Sequence, residues 1–125
     1  MAALRLPRSA RLLQRSDFAA LRAASNRVST PALVAEYRHN AVNGARLGIA
    51  VSRRVSKLAV VRNRIRRVIR ESYRLHRAQL PKLDVLVIAR VLASDRSNAQ
   101  LRADLWTIWQ RLGAEGDHRS LKETE

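Results

Sequence analysis

The chain has 125 residues, a length that fits one domain, since two domains of half this size would each bury too little surface without disulfides. It has no cysteine, which excludes disulfides, thiolate metal sites and cysteine nucleophiles. Its 25 lysine and arginine residues against 10 acidic residues give a net charge of +15, and most of the basic residues are arginine. Arginine binds phosphate through paired hydrogen bonds, so this charge favours a polyanionic partner, nucleic acid above all.

Membrane insertion and secretion are not expected. No apolar stretch reaches the roughly 18 residues that a membrane span needs. The N-terminus is basic but lacks the apolar segment of a signal peptide.

The first half of the chain predicts one helix and two strands. The helix begins at Ser16, its N-cap, and ends near Ala24. A strand over 32–38 and a strand over 46–52 follow, separated by a turn that ends at Gly44, and they are expected to pair as an antiparallel hairpin.

The strand over 46–52 has two unlike faces. Its bulky residues alternate with three small ones, Gly48, Ala50 and Ser52. The bulky face suits a protein core. The small face suits a helix or a ligand that lies close against the sheet.

The second half predicts a long helix, a strand and a last helix. The long pattern spans 60–80 and ends before Pro81. One side of it is expected to face the core, and consists of Val61, Ile65, Val68, Ser72 and Leu75. A strand over 84–91 is apolar on both faces, as in a strand covered on both sides. The last helix, capped by Ser97 or Asn98, is predicted to end at Gly113 as its C′ glycine.

These elements follow the order α-β-β-α-β-α, which predicts an α+β fold with one β-α-β crossover. The single domain is expected over residues 1–112. Residues 113–125 are polar and glycine-bearing, and are predicted to form a disordered tail.

No residue pattern indicates catalysis by the protein. The three histidines show no metal-ligand spacing, and the chain contains none of the usual hydrolase, nucleotide-binding or zinc motifs. Its acids follow no pattern of a two-metal nuclease. We therefore predict no catalytic residue and no metal ligand in the protein.

The basic residues cluster within the predicted long helix and the segment before it. Residues 53–77 contain ten lysine or arginine residues and one acid, Glu71. Arg62, Arg66 and Arg70 follow i, i+4, i+8 spacing, a ridge with a rise of about 6 Å per step that matches successive phosphates. Asn63 can hydrogen-bond a base edge or a 2′-hydroxyl. Like charges at this spacing repel, so nucleic-acid contact is favoured over a merely solvated helix face.

Composition leaves the kind of nucleic-acid partner open. One alternative that fits the charge is a small ribosomal protein. Another is a protein whose helix reads the DNA major groove, although a continuous arginine face suits phosphates better than base edges.

The motif itself narrows these alternatives. The run Arg62-Asn63-Arg64-Ile65-Arg66-Arg67 closely resembles the "RNR" signature of the protein subunit of bacterial ribonuclease P. The segment 48–54 resembles that family's strand with a basic end, 16–18 the opening of its first helix, and 84–90 its last strand. The resemblance covers about residues 6–112 in the correct order.

The resemblance implies a two-layer α-β sandwich whose β-α-β crossover is left-handed, an exception to the usual rule. It implies a cytoplasmic ribonucleoprotein whose catalytic RNA binds the Mg²⁺ ions and removes the 5′ leader of precursor tRNA. The protein is then expected to bind that RNA and the single-stranded leader. It is expected to need no protein partner, and to bind no cofactor of its own.

The resemblance also implies two sets of site residues. The RNA-binding set is Arg53, Arg54, Arg62, Asn63, Arg64, Arg66, Arg67 and Arg70. The leader cleft is expected to contain Phe18, Arg22, Tyr37, Ala50 and Ser52. Aromatic stacking on bases is sequence-tolerant, which suits a varied leader. For Phe18 and Tyr37 the alternative is an ordinary place in the core.

Overall fold

The computed structural model describes residues 26–40 and 44–124, with residues 115–124 described by their backbone alone. In this part of the chain the strands are β1 (Asn26–Ser29), β2 (Leu33–His39), β3 (Arg46–Ala50) and β4 (Leu83–Ala89). The helices are α1 (Ala59–His76) and α2 (Asn98–Thr124), with short 3₁₀ turns η1 (Arg77–Gln79) and η2 (Val91–Asp95). The predicted first helix, from Ser16 to Ala24, lies outside the described residues.

The strands form one mixed sheet in the order β1-β2-β4-β3. β4 pairs antiparallel with β2 on one side and parallel with β3 on the other. The predicted hairpin between β2 and β3 is therefore wrong, because β4 lies between them. β3 and β4 are parallel neighbours with α1 between them in sequence. The handedness of this connection stays a prediction.

β1 was not predicted. It pairs antiparallel with β2, and the turn between them is closed by a hydrogen bond of 2.8 Å from the Thr30 amide to the Leu33 carbonyl. Val28 is the only buried residue of this short strand. One apolar residue among polar ones gives no alternating pattern, so the sequence carried no signal for it.

Both described helices pack on one face of the sheet, and together they form the main core. The helical wheel correctly predicts that Ile65, Val68 and Ser72 are buried. The prediction that Leu75 faces the core is wrong, since 54% of this residue is exposed. Ile69 and Tyr73 are buried in its stead. The core side of α1 is thus rotated by part of a turn from the predicted side.

Two aromatic side chains join the helices inside this core. The ring of Trp109 meets that of Tyr73 edge-on at 5.8 Å, and the Trp109 Nε1 donates a hydrogen bond of 2.8 Å to Ser72 Oγ. The Tyr73 hydroxyl donates to the Ala45 carbonyl at 2.7 Å. Burial raises the pKa of Tyr73 to about 12. α1 is thereby fixed both to α2 and to the residue that precedes β3.

The start of α2 is capped as predicted. The Gln100 amide donates to Ser97 Oγ at 3.1 Å, and the Ser97 amide donates back to Gln100 Oε1 at 2.9 Å, a reciprocal capping box. The end of α2 differs from the prediction, because the helix continues through Gly113 to Thr124. Gly113 therefore does not end it. The predicted division between a domain over 1–112 and a disordered tail stays a prediction.

Candidate nucleic-acid interface

A short loop between β3 and α1 presents two arginines to solvent. The Val55 amide donates to the Ser52 carbonyl at 3.1 Å, so Arg53 and Arg54 occupy the two central positions of a tight turn. Val51 and Val55 on either side are buried in the core, whereas Arg53 and Arg54 are exposed. The turn is thus fastened by apolar residues at its base and carries two positive charges at its tip.

Four side chains of the RNR motif make hydrogen bonds within the protein, namely those of Arg62, Asn63, Arg64 and Arg66. Arg62 Nη1 donates to the Ser56 carbonyl at 2.9 Å. Arg66 donates from Nη2 to the Val51 carbonyl at 3.1 Å, and from Nη1 to Asn63 Oδ1 at 3.0 Å. The bonds to the Ser56 and Val51 carbonyls connect the first two turns of α1 to the loop in front of it, whereas the bond between Arg66 and Asn63 lies within the helix.

Arg64 holds the other side of α1. Its Nη1 donates to Asn98 Oδ1 at 2.7 Å and to the Arg96 carbonyl at 3.3 Å. Asn98 is the first residue of α2. The Arg64 side chain therefore bridges the beginnings of the two helices.

Arg53, Arg54, Arg67 and Arg70 differ from those side chains. All four are exposed, and none of them makes a hydrogen bond or an ion pair with another residue of 26–40 or 44–114, the part of the chain whose side chains are described. We call these four the free arginines. Their guanidinium donors face water, so an incoming phosphate can take up those donors without displacing a protein partner.

The only acid in this basic segment does not neutralise the free arginines. Glu71 Oε1 accepts from Arg74 Nη2 at 2.8 Å, and Glu71 Oε2 accepts from Arg74 Nε at 3.0 Å. The hydrogen bonds from Arg74 hold the pKa of Glu71 below its ordinary value. The pair leaves the positive charge of Arg67 and Arg70 unopposed within the described part of α1.

The predicted cleft residues fall into three groups. Ala50 packs with Leu86 and Ile88 on the sheet face that points away from the described helices, and Ser52 is exposed just beyond β3. Tyr37 is paired with Val85 on the opposite face and is buried in the main core. The prediction that Tyr37 lines the same cleft as Ala50 is therefore wrong, because the two side chains point to opposite sides of the sheet. Phe18 and Arg22 lie outside the described residues.

A buried carboxylate organises one end of the sheet, and the sequence did not single it out. Asp84, fully buried at the start of β4, accepts from Arg46 at 2.8 Å to Oδ1 and 2.7 Å to Oδ2. Asn40 donates to Oδ1 at 2.8 Å and Arg38 to Oδ2 at 3.4 Å. Burial raises the pKa of Asp84, but these hydrogen bonds and the charge of Arg46 outweigh it, so the pKa lies below its ordinary value.

Neither a metal cluster nor a membrane helix is found in the described part of the chain. Across residues 26–40 and 44–114, whose side chains are described, no three histidine or acidic side chains are grouped so as to hold a metal ion. Within the same residues no helix is long and apolar enough to cross a membrane.

Comparison with known proteins agrees with this fold. The family model described as Ribonuclease P matches residues 6–113. The ribonuclease P protein component of Vibrio cholerae is 40% identical over 105 residues, which cover 84% of this chain and 89% of that protein. The corresponding protein of Thioalkalivibrio sulfidiphilus is 36% identical over 106 residues, 85% of this chain and 88% of that protein.

Solved structures of ribonuclease P proteins are also similar to this chain. The ribonuclease P protein of Staphylococcus aureus is similar with a TM-score of 0.77 and 30% identity, over 81% of this chain and 93% of that one. The ribonuclease P protein of Thermotoga maritima is similar with a TM-score of 0.73 and 29% identity, over 81% and 96%.

By its fold and its charge, the chain is a small α+β RNA-binding protein. It belongs to the ribonuclease P protein family, the protein components of a ribonucleoprotein nuclease that processes tRNA.

Proposed function

We propose that this chain binds the catalytic RNA of ribonuclease P through the arginines of α1 and of the preceding turn. The observation that carries the proposal is the set of free arginines, which are exposed and make no hydrogen bond or ion pair with the other described residues. Phosphate contacts by arginine supply a large share of the affinity of such interfaces, and they lose strength as salt competes for the phosphates. The RNA-binding set is proposed to comprise Arg53, Arg54, Arg62, Asn63, Arg64, Arg66, Arg67 and Arg70.

The single-stranded leader of precursor tRNA is proposed to lie along the other sheet face. Ile88 of β4 pairs with Val34 of β2 on one side and with Ala50 of β3 on the other, and Leu86 packs with Ala50 and Ile88, so this end of the face is apolar. An apolar floor beside arginines suits the flat rings and the phosphates of a single strand. Phe18 and Arg22 are proposed to contact the leader there, together with Ala50 and Ser52. Tyr37 is excluded from this set by its place in the core.

Cleavage itself is proposed to belong to the RNA. The described residues offer no metal-binding cluster, and the chain shows no motif of a protein nuclease. Mg²⁺ is proposed to serve the RNA, with no cofactor bound by the protein. The complex is proposed to act in the cytoplasm on precursor tRNA, without a further protein subunit.

A binding titration tests the proposal. Wild-type protein is titrated into ribonuclease P RNA transcribed from a bacterial gene, with an unrelated structured RNA of equal length as the control. We expect tighter binding to ribonuclease P RNA, and a loss of about tenfold or more when Arg53 and Arg54 are both replaced by alanine. Equal affinity for the two RNAs would contradict the proposal and leave a general RNA-binding protein.

The leader contact has its own test. Phe18→Ala should weaken the complex with leader-bearing precursor tRNA more than the complex with mature tRNA, by roughly the 1–3 kcal/mol of one base stacked on an aromatic ring. An equal effect on both RNAs would return Phe18 to an ordinary core position.

A further inference from the structure

Two arginines of α1 hold the loop before the helix from both ends. Arg66 Nη2 donates to the Val51 carbonyl, at the point where the chain leaves β3. Arg62 Nη1 donates to the Ser56 carbonyl, shortly before α1 begins. The turn of Ser52 to Val55, with Arg53 and Arg54 at its tip, lies between these two attachment points.

The geometry of Arg66 leaves little freedom to its guanidinium group. Nη2 is bound to the Val51 carbonyl and Nη1 to the Asn63 side chain, so the plane of the group is fixed by two acceptors in different elements. Arg66 and Arg62 are half-buried, unlike the exposed free arginines. A side chain held in this way is suited to positioning the chain around it.

We infer that Arg62 and Arg66 are positioning residues, which serve RNA binding mainly by holding the turn that presents Arg53 and Arg54. The inference rests on the proposed function and assigns different tasks to two pairs of arginines within the proposed RNA-binding set. Arg53 and Arg54 contact phosphate, while Arg62 and Arg66 fix the distance and direction of that pair relative to α1.

The physical reason is preorganisation. A turn that is already ordered loses less conformational entropy when RNA binds, so more of the phosphate contact energy appears as affinity. Without the bond from Arg66 to the Val51 carbonyl, the turn is held by fewer contacts. Arg53 and Arg54 must then be ordered at the moment of binding, and the affinity drops although both side chains are still present.

A double-mutant cycle separates positioning from direct contact. The dissociation constant for ribonuclease P RNA is measured for the wild type, R66A, the pair R53A/R54A and the triple variant. We expect R66A to weaken binding about five- to tenfold in the wild type, and less than about twofold when Arg53 and Arg54 are absent. Arg70→Ala is the matched control, and its effect should be the same in both backgrounds.

A lysine variant at residue 66 separates the effect of the guanidinium geometry from the effect of its charge. R66K keeps the charge, but a single ammonium group cannot reproduce the planar fork that binds the Val51 carbonyl and Asn63 together. If Arg66 positions the turn, R66K weakens binding nearly as much as R66A does. If only the charge at residue 66 matters, R66K binds like the wild type, which would overturn the inference. Thermal unfolding of each variant identifies those that are folded at the temperature of the titration.

The outcomes distinguish this inference from the proposed function. Equal effects of R66A in the two backgrounds would show direct contact by Arg66 and overturn the inference, while the proposed function stands. Failure of the wild type to prefer ribonuclease P RNA would overturn the proposed function, and this inference with it.

Discussion

Asp84 illustrates how one residue can hold several strands together. Its carboxylate is fully buried at the start of β4, and its partners Arg38 and Arg46 lie directly opposite it on β2 and β3. β3 is an edge strand of the described sheet and pairs only with β4 there. The ion pair with Arg46 therefore adds a side-chain link to the backbone ladder of that edge.

We expect Asp84→Asn to lower the free energy of unfolding by about 2–3 kcal/mol. Removing one charge from a fully buried pair costs about 3–5 kcal/mol, and the cost is smaller here because Arg38 and Arg46 keep partial access to water. Urea unfolding of the wild type and of Asp84→Asn at neutral pH measures this difference in the free energy of unfolding. Glu71→Gln is the control, since the ion pair of the exposed Glu71 should contribute almost nothing. Equal stability of Asp84→Asn and the wild type would show that the pair contributes nothing net.

The same network predicts an acid-sensitive part of the stability. The pKa of Asp84 is lower in the folded protein than its ordinary value of 3.8, so the folded state binds this proton less readily than the unfolded chain does. The stabilisation is complete above that ordinary value and is lost as the pH falls through the folded-state pKa. The stability gap between the wild type and Asp84→Asn should be constant at about pH 5–7 and shrink below about pH 4. A stability difference that grows as the pH falls would contradict the predicted direction of the effect.

Sequence alone predicted which residue types a nucleic-acid interface would use, but not which of those side chains the protein itself holds by hydrogen bonds. The spacing of Arg62, Arg66 and Arg70 predicted a ridge of three equivalent phosphate ligands. In the structure Arg66 is bound to Val51 and Asn63, whereas Arg70 is free of such contacts among the described residues. The difference depends on the path of the loop before α1, which a helical wheel does not contain.

At the scale of elements, the wrong hairpin has a clear physical cause. Alternation of side chains fixes which face of a strand is buried, but it does not fix which strand lies beside it. The signal that β4 is central was present, because β4 is apolar on both faces, as an inner strand must be. A second signal is the charge pattern of these strands, because an acid at 84 opposite arginines at 38 and 46 fits a central β4 between β2 and β3.

Two glycines give a prediction about local backbone freedom. Gly113 lies inside α2, and among the described residues a Cβ atom there would meet only the Gln79 carbonyl oxygen, at an ordinary 3.8 Å. We expect Gly113→Ala to raise the free energy of unfolding by about 0.5–1 kcal/mol, since alanine favours the helix. Gly44 has a φ of +104° and its Cβ would lie 3.0 Å from Arg77 Nη2, so Gly44→Ala should destabilise the protein. Thermal unfolding measures the stability of both variants. A loss of stability in Gly113→Ala would indicate that α2 ends at Gly113.

At the scale of the whole molecule, the buried apolar core and the free arginines are segregated within the described residues. The main core lies between the sheet and the two described helices, while the free arginines project from α1 and the turn before it. The composition already predicted a polyanionic partner, and the RNR motif predicted which one. Neither could predict that β4 separates β2 from β3, because strand order depends on contacts between residues far apart in the chain.

This segregation predicts a salt dependence that can be assigned to particular residues. Replacing Arg53, Arg54, Arg67 and Arg70 by alanine should flatten the slope of log affinity against log salt by about 0.7–0.9 per lost phosphate contact. Arg102→Ala with Arg111→Ala is the control, because both side chains are exposed on α2 outside the basic set. That pair should change the slope less per charge removed. An equal change per charge in the two variants would indicate binding through net charge alone.

The most direct test of the account is cleavage of a 5′-labelled precursor tRNA at low magnesium. Three samples are compared, containing the protein alone, a bacterial ribonuclease P RNA alone, and both together. We expect efficient cleavage at the mature 5′ end only when both are present. Cleavage by the protein alone would contradict the assignment of catalysis to the RNA, and no stimulation of the RNA would contradict the proposed role of the protein.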